Sequence, residues 1–294
     1  MTGIGTVAVT HGGKFHADDV FGAALLKILK PEIRIQRVFQ VPENFDGLVF
    51  DIGGGRFDHH QEGAEVRENG VPYAAFGLLW REFGAEALRD SCPPEAVAEE
   101  VARFDENLIQ SLDEDDNTGG GNPLAGAISL FNPDWDSEKP ADDCFAEAVE
   151  FAKTVLTKKI ARIAANYRAK GLVEAALAES RDRIVILPRY APWRPVLEAS
   201  EAEFVVYPSQ RGGYSAQTVP DAENKRESKC DFPEEWAAKP ENELPGISGI
   251  GTLRFCHKGR FLITAGTQED AVEACRAAQR AAAGARGKTE SDRE

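Results

Sequence analysis

The sequence predicts an α/β protein in two parts. An N-terminal parallel-sheet domain covers residues 1–165, a helical linker 166–183, and a smaller C-terminal α/β substrate-binding domain 184–294. Three observations point there. Short apolar runs alternate with helix-period segments up to Asp51, acids and histidines fall at the carboxyl ends of those runs, and a long helical stretch precedes a second group of strand-like runs. At 294 residues the chain has room for two cores of ordinary size.

Thr6–Thr10 reads as a buried strand with His11 at its end, and the glycines at 12 and 13 permit a tight turn. From Ala17 to Lys30 the apolar spacing is helical, Asp18 and Asp19 lie in the first turn, and Pro31 stops the helix. Ile33–Phe39 and Leu48–Asp51 read as further strands, and Ala74–Phe83 and Pro94–Leu112 as helices. The acids at 113–116 that follow, taken alone, read as a solvated loop. Cys144 to Ala178 is one long helix or a pair. Strands return at Ile184–Leu187, Phe204–Tyr207, Tyr214–Val219 and Phe261–Thr264. Gln268–Ala283 closes the fold as a helix, with a frayed polar tail expected from Gly284.

Composition excludes several classes. No apolar run approaches the ~20 residues that cross a bilayer, and the N-terminus lacks the basic and apolar regions of a signal peptide. Five scattered cysteines without a C-x-x-C pair argue against a disulfide framework and a thiolate zinc site, and fit the cytoplasm. A net charge of −15 repels nucleic acid, so a polyanionic substrate needs local cations or bound metal. Residues 189–260 include Arg189, Arg194, Arg211, Lys225, Arg226, Lys229, Arg254, Lys258 and Arg260, which either form a basic groove or are scattered over the surface; the sequence leaves both open.

Four of the five histidines sit in two clusters with aspartates, His11-Gly-Gly-Lys-Phe-His16-Ala-Asp18-Asp19 and Asp58-His59-His60, with Asp51 between them. Neutral imidazole nitrogen and anionic oxygen suit Mn²⁺, Zn²⁺ or Fe²⁺. A pair of such ions requires six or so ligands from separate segments, and His11, His16, Asp18, Asp51, His59 and the 113–116 acids supply them. Simpler roles exist for single members. Asp18 and Asp19 suit a helix N-terminus, and Asp51 suits a strand-end turn.

Thr10-His11-x-Gly13-x-Phe15-His16-x-Asp18-Asp19, Asp51-Ile-Gly-Gly and Arg56-Phe-Asp58-His59-His60-Gln61 together resemble the melanocyte proliferating gene family, which is similar to the DHH phosphoesterase superfamily. The resemblance continues through Leu112–Asn117, Ala216–Pro220, Phe232–Trp236 and Arg254–Phe261, nearly end to end. It implies a DHH-type catalytic domain, a smaller substrate-binding domain and a cleft between them. It also implies a 3′–5′ exonuclease acting on single-stranded RNA or short oligonucleotides, with two divalent ions, Mn²⁺ being usual, and a bridging hydroxide. Carried over, His11, His16 and Asp51 hold one ion. Asp18, Asp51, His59 and Asp116, with Asp113 in reserve, hold the other. Asp58 orients a histidine, and His60 contacts the phosphate or assists the leaving group. His16 departs from the superfamily's aspartate, and His11 stands one residue further from Asp18 than usual.

His257, in Phe255-Cys-His-Lys-Gly-Arg-Phe261, is the expected phosphate contact, with Lys258, Arg260 and Arg211 gripping the backbone. A homodimer is compatible with the sequence. Rival functions are a small-molecule phosphohydrolase of the same superfamily (a pyrophosphatase or cyclic-dinucleotide phosphodiesterase) and a metal-binding regulator without catalysis. A peptide hydrolase has no His-Glu-x-x-His helix to support it.

Overall fold

The computed structural model describes the backbone of residues 4–291 and side chains as far as Gly284. The chain divides into two compact units, Met1–Ala165 and Asn166–Glu294.

In the first unit, β1 (Val7–His11), α1 (Ala17–Leu29), β2 (Arg34–Val38) and β3 (Leu48–Val49) build a parallel sheet of order β2-β1-β3. Parallel strands with covered faces read as continuous apolar runs, as β1 does. β3 is shorter than its sequence suggests. Phe50 makes one parallel bridge to Phe57, and Asp51 then turns left-handed, so the strand ends there. Helix α1 buries its whole first three turns, Ala17 to Leu26. It meets α2 (Ala75–Leu88) at Gly22, where a Cβ would lie 2.8 Å from Leu79 Cδ1.

The segment expected as one helix over 94–112 is a short 3-10 turn, α3 (Val97–Phe104), a π-helical turn at Asp105–Ile109, and α4 (Gln110–Thr118). The acids at 113–116 are therefore helical rather than a loop, and Asp113 is fully buried. Helices α5 (Pro123–Ser129) and α6 (Ala141–Ala178) follow. The latter is one helix, with the division between the units inside it.

The second unit contains β4 (Ile184–Ile186), α7 (Arg194–Leu197), β5 (Phe204–Pro208), β6 (Tyr214–Thr218), α8 (Leu244–Ser248), β7 (Leu253–Cys256), β8 (Leu262–Ala265) and α9 (Gln268–Ser291). Its mixed sheet runs β4-β5-β6-β8-β7, parallel only between β4 and β5. Alternate residues feed two cores: Phe204 and Val206 one, Val205 and Tyr207 the other. Strand β7 escapes sequence reading because a bulge between Leu253 and Phe255 breaks its alternation. The tail expected from Gly284 is still helical to Ser291; its last three residues lie outside the described ones.

Candidate metal centre

The carboxyl edge of the parallel sheet gathers the chemistry. β1 delivers His11, the end of β3 delivers Asp51, and the bridge at Phe57 places Asp58, His59 and His60 alongside. Helix α1 adds Asp18 and Asp19 from its first turn, and α4 adds Asp116. Asp51 adopts φ 57°, a conformation that aspartate tolerates better than most side chains. Its amide donates to Phe57 O at 2.9 Å, tying the strand end to the histidine loop. Backbone strain of this kind costs about 1–3 kcal/mol and concentrates where function demands a geometry.

Asp51 divides its two oxygens between two ligand sets. Its Oδ2 lies 3.2 Å from His11 Nε2, which lies 3.2 Å from Asp19 Oδ2. Its Oδ1 lies 3.3 Å from His59 Nε2, which also approaches Asp116 Oδ2 at 3.2 Å and Asp18 Oδ2 at 3.5 Å. Three triads have ligand atoms within 4.8 Å of one another: His11–Asp19–Asp51, Asp51–His59–His60 and His16–Asp18–Asp116.

These approaches are not hydrogen bonds. His11 Nε2, His59 Nε2, Asp18 Oδ1, Asp19 Oδ2 and both oxygens of Asp51 are buried with no hydrogen-bond partner. An unsatisfied buried polar atom costs about 1–3 kcal/mol, and native interiors contain few. Six gathered in two adjoining sets around Asp51 are what cation ligands look like. Their donor types, imidazole and carboxylate, fit a divalent transition metal.

Electrostatics lead to the same place. Asp19 and Asp51 push His11 up to about 11. Burial opposes charge on His59, but Asp116, Asp18 and Asp51 outweigh it and push the imidazole up to about 12. Burial raises Asp19 to about 7, against the pull of His11. Asp116 is raised by burial and by the neighbouring Asp18 and Asp51. Asp18 is the exception, because His59 outweighs its burial and holds it low. The centre draws positive charge to itself.

Supporting contacts hold the ligands in place. Asn117 Oδ1 lies 3.3 Å from His59 Nδ1, while its Nδ2 donates to Tyr73 O at 3.1 Å and Asp113 O at 2.8 Å. Asp18 Oδ2 accepts from Ala75 N at the start of α2. Asp19 Oδ1 accepts from His16 N, so Asp19 both caps α1 and points its other oxygen into the centre. Asp58 accepts from Gly54 N and His60 N, which outweigh its burial and hold it low, and its Oδ1 lies 2.9 Å from His60 Nδ1.

His11, Asp18, Asp51, His59 and Asp116 therefore meet, with Asp58 and His60 beside them. His16, expected on the first ion, is half-exposed and turned to Asp116 at 3.7 Å; Asp19 stands next to His11 and Asp51 in its place. Asp113 faces away. It accepts from Arg67 at 2.7 Å and from Gly77 N at 3.2 Å, and a Cβ on Gly77 would lie 1.9 Å from its Oδ2. Asp19, Asn117 and Arg67 are the residues that sequence reasoning missed. Only Asp19 gave a signal, as the second acid of its pair.

In the second unit the expected substrate contacts do not form one patch. Arg211 is exposed in the turn between β5 and β6, whereas His257, Lys258 and Arg260 lie in the turn between β7 and β8. Tyr214 pairs with Ala265 and Gln217 with Leu262, so these turns lie at opposite ends of the sheet. Arg260 is committed to structure, donating to Phe232 O at 2.8 Å and to Asp231. His257 Nδ1 accepts from Gly259 N, and its ring lies 4.2 Å from that of Phe261. Lys258 is exposed.

Fold and donor set together define an α/β protein with a histidine–aspartate centre suited to divalent cations. The chain belongs to the MYG1 exonuclease family, described as Uncharacterised protein family UPF0160, whose model matches residues 7–279. It is 29% identical to the MYG1 exonuclease of Rattus norvegicus, over 93% of this chain and 85% of that protein. Identity to the MYG1 exonuclease of Homo sapiens is 27%, over 91% of this chain and 84% of the relative. A MYG1 protein of Chlamydia pneumoniae is 30% identical, over 91% and 94%. No solved structure matches the chain. Among the described residues no helix is long and apolar enough to cross a membrane.

Proposed function

We propose that the protein is a divalent-metal-dependent phosphodiester hydrolase of the DHH phosphoesterase type, a 3′–5′ exonuclease acting on RNA or short oligonucleotides in the cytoplasm. One observation carries it: Asp51 offers one unsatisfied oxygen to each of two ligand sets, the arrangement a two-metal hydrolase needs. The exonuclease names of the rat and human relatives supply the polymer substrate. The first unit is the catalytic domain and the second, with His257 and Lys258 on its surface, the substrate-binding domain.

His11, Asp19 and Asp51 would hold one ion; Asp18, Asp51, His59 and Asp116 the other, with His16 at the rim. When bound, two such ions lower the pKa of a shared water and neutralise charge on the phosphoryl oxygens. The chain's own residues do the rest. Asn117 keeps the His59 ring turned inward, and the left-handed backbone at Asp51 aims both its oxygens at the ligand sets. His60, half-exposed and held by Asp58, stands ready to give a proton to the departing oxygen.

The decisive experiment combines elemental analysis of the purified protein with a 5′-labelled single-stranded oligoribonucleotide, with and without Mn²⁺ and chelator. Stepwise shortening from the 3′ end that requires the metal is expected. Release of the label as a mononucleotide at once would reverse the polarity. Metal-independent cleavage would remove the mechanism.

A further inference from the structure

A cavity of about 410 Å³ opens beside the metal centre, between the start of α1, the end of α4 and α5. No role assigned above uses it. Its volume lies at the small-ligand end of the range for binding pockets. His16 and Asp116 both line it, and the same two side chains approach to 3.7 Å at the rim of the centre. A group attached to a phosphate held at the ions would therefore pass straight into it.

The lining decides what such a group can be. Exposed Lys14 is the only lysine or arginine in its lining, which also includes Asp115 and Asp116, so a second phosphate is not welcome. The amides at the start of α5 are already taken, because Asn122 Oδ1 accepts two of them at 2.8 and 3.2 Å. What remains is a polar and glycine-lined space for an uncharged group. At Gly121 and Gly126 an added Cβ would meet nothing within 4 Å, so the missing side chains leave open volume.

We propose that this cavity seats the terminal nucleoside of the substrate, whose 5′-phosphate lies at the metal centre. The assignment deepens the exonuclease function and rests on it. In the step it serves, a water oxygen bonds to phosphorus and the P–O3′ bond to the preceding nucleotide breaks. The O3′ atom takes up a proton, and a nucleoside 5′-monophosphate remains in the cavity.

Gly126→Leu tests the idea without straining the chain. Gly126 is helical and exposed with an ordinary φ, and a non-glycine residue there is favoured by helix propensity. Adenosine 5′-monophosphate should bind the wild-type protein in the presence of Mn²⁺, by calorimetry, and bind Gly126→Leu at least tenfold more weakly. Melting temperature and Mn²⁺ stoichiometry should stay at wild-type values. The rate on an oligoribonucleotide, divided by that on bis(4-nitrophenyl) phosphate, should fall tenfold or more. Gly126→Ala, the smaller filling, should show the same losses in reduced degree. A folded Gly126→Leu protein with unaltered nucleotide binding and an unaltered rate ratio overturns the assignment. So does a wild-type enzyme that shortens RNA yet binds no mononucleotide, which leaves the exonuclease function standing. If the wild type shortens no oligonucleotide but binds the mononucleotide in a Gly126-sensitive way, the exonuclease function fails while the cavity remains a nucleotide site.

Discussion

Asp113 and Asp116 are one turn apart on α4, yet the two buried carboxylate clusters they belong to are charged in different ways. Around Asp113 the positive charge is permanent. Arg67, itself buried, reaches Asp113 at 2.7 Å and Asp105 in a two-pronged contact at 2.8 and 2.6 Å, with its guanidinium 3.9 Å from the Tyr73 ring centroid. Around Asp116, among the described residues, the ion-pair partners are histidines, with no arginine or lysine paired to it. Asp18, Asp19, Asp51 and Asp116 face histidines, whose charge can be given up: His11 and His59 at the centre, with His16 and His60 at its edge. A carboxylate needed for folding is matched to a guanidinium that never deprotonates, whereas carboxylates needed for a metal are left with a partner the metal can replace.

Breaking the first cluster should have the largest effect on stability. Arg67→Met strands Asp113 and Asp105, and removing one partner of a buried ion pair costs about 3–5 kcal/mol. Burial already lifts Asp113 to about 7, so protonation of that carboxyl will soften the loss. Urea unfolding of the metal-free protein checks this, and a shift under about 1 kcal/mol would mean that the cluster is not structural. Breaking the second cluster should act on activity instead. Asp51→Asn retains a side chain that tolerates the left-handed backbone and removes one of the crowded charges. Unfolding of the metal-free variant should stay close to wild type, because relief of the crowding among the aspartates offsets the lost attraction to His11 and His59, while metal-dependent turnover falls by about 10²–10³-fold or more, the size of one lost electrostatic stabiliser. Retained turnover would detach Asp51 from catalysis.

The same contrast explains what was legible in the sequence. Strand-end histidines and aspartates announce themselves, because polar residues closing an apolar run have few other uses. His11, Asp51 and His59 could be picked out that way. The partition of the acids could not. Whether Asp113 or Asp116 faces the centre depends on the phase of α4, and a π-helical turn at Asp105–Ile109 shifts that phase. Likewise adjacency could not say which set His16 joins: the first turn of α1 groups it with Asp18 and Asp116 and brings Asp19 to His11 and Asp51. Arg67 and Asn117 carry no local signature, since their partners are 46 and 58 residues away. In the second unit, pairing register alone separates Arg211 from Lys258.

Proton linkage sharpens the comparison further. His11 and His59, raised to about 11 and 12, contribute stability that is full below about 6.5 and lost as pH rises toward those values. Asp19, raised to about 7, takes up its proton on folding, so it also weakens the fold as pH climbs from about 4 to 7. Asp18, held low, acts in the opposite sense and only in acid. The metal-free protein should therefore have a urea midpoint that declines between pH 5 and 9. Mn²⁺ at a hundredfold excess over its Kd should restore about 2.7 kcal/mol. Binding must displace the imidazole protons, so calorimetry at pH 8 in two buffers of different ionisation enthalpy should register release of about two protons. Binding without proton release would leave His11 and His59 outside the ligand set.

The smallest effect tests whether the two clusters communicate. Asn117 bridges them, with its oxygen toward His59 Nδ1 and its amide nitrogen on Asp113 O. An acceptor on the outer ring nitrogen fixes which nitrogen of His59 faces inward, and loss of such a partner typically lowers metal affinity or activity about 10–100-fold. Asn117→Ala should weaken Mn²⁺ binding within that range and leave unfolding of the metal-free protein close to wild type, because the side chain carries no charge. The His60 ring, with its centroid 4.1 Å from that of His59, is the other support the imidazole has. If Asn117→Ala binds Mn²⁺ as tightly as wild type while His60→Ala does not, the orientation of His59 comes from ring packing, and the Arg67 cluster has no hold on the metal centre through this side chain.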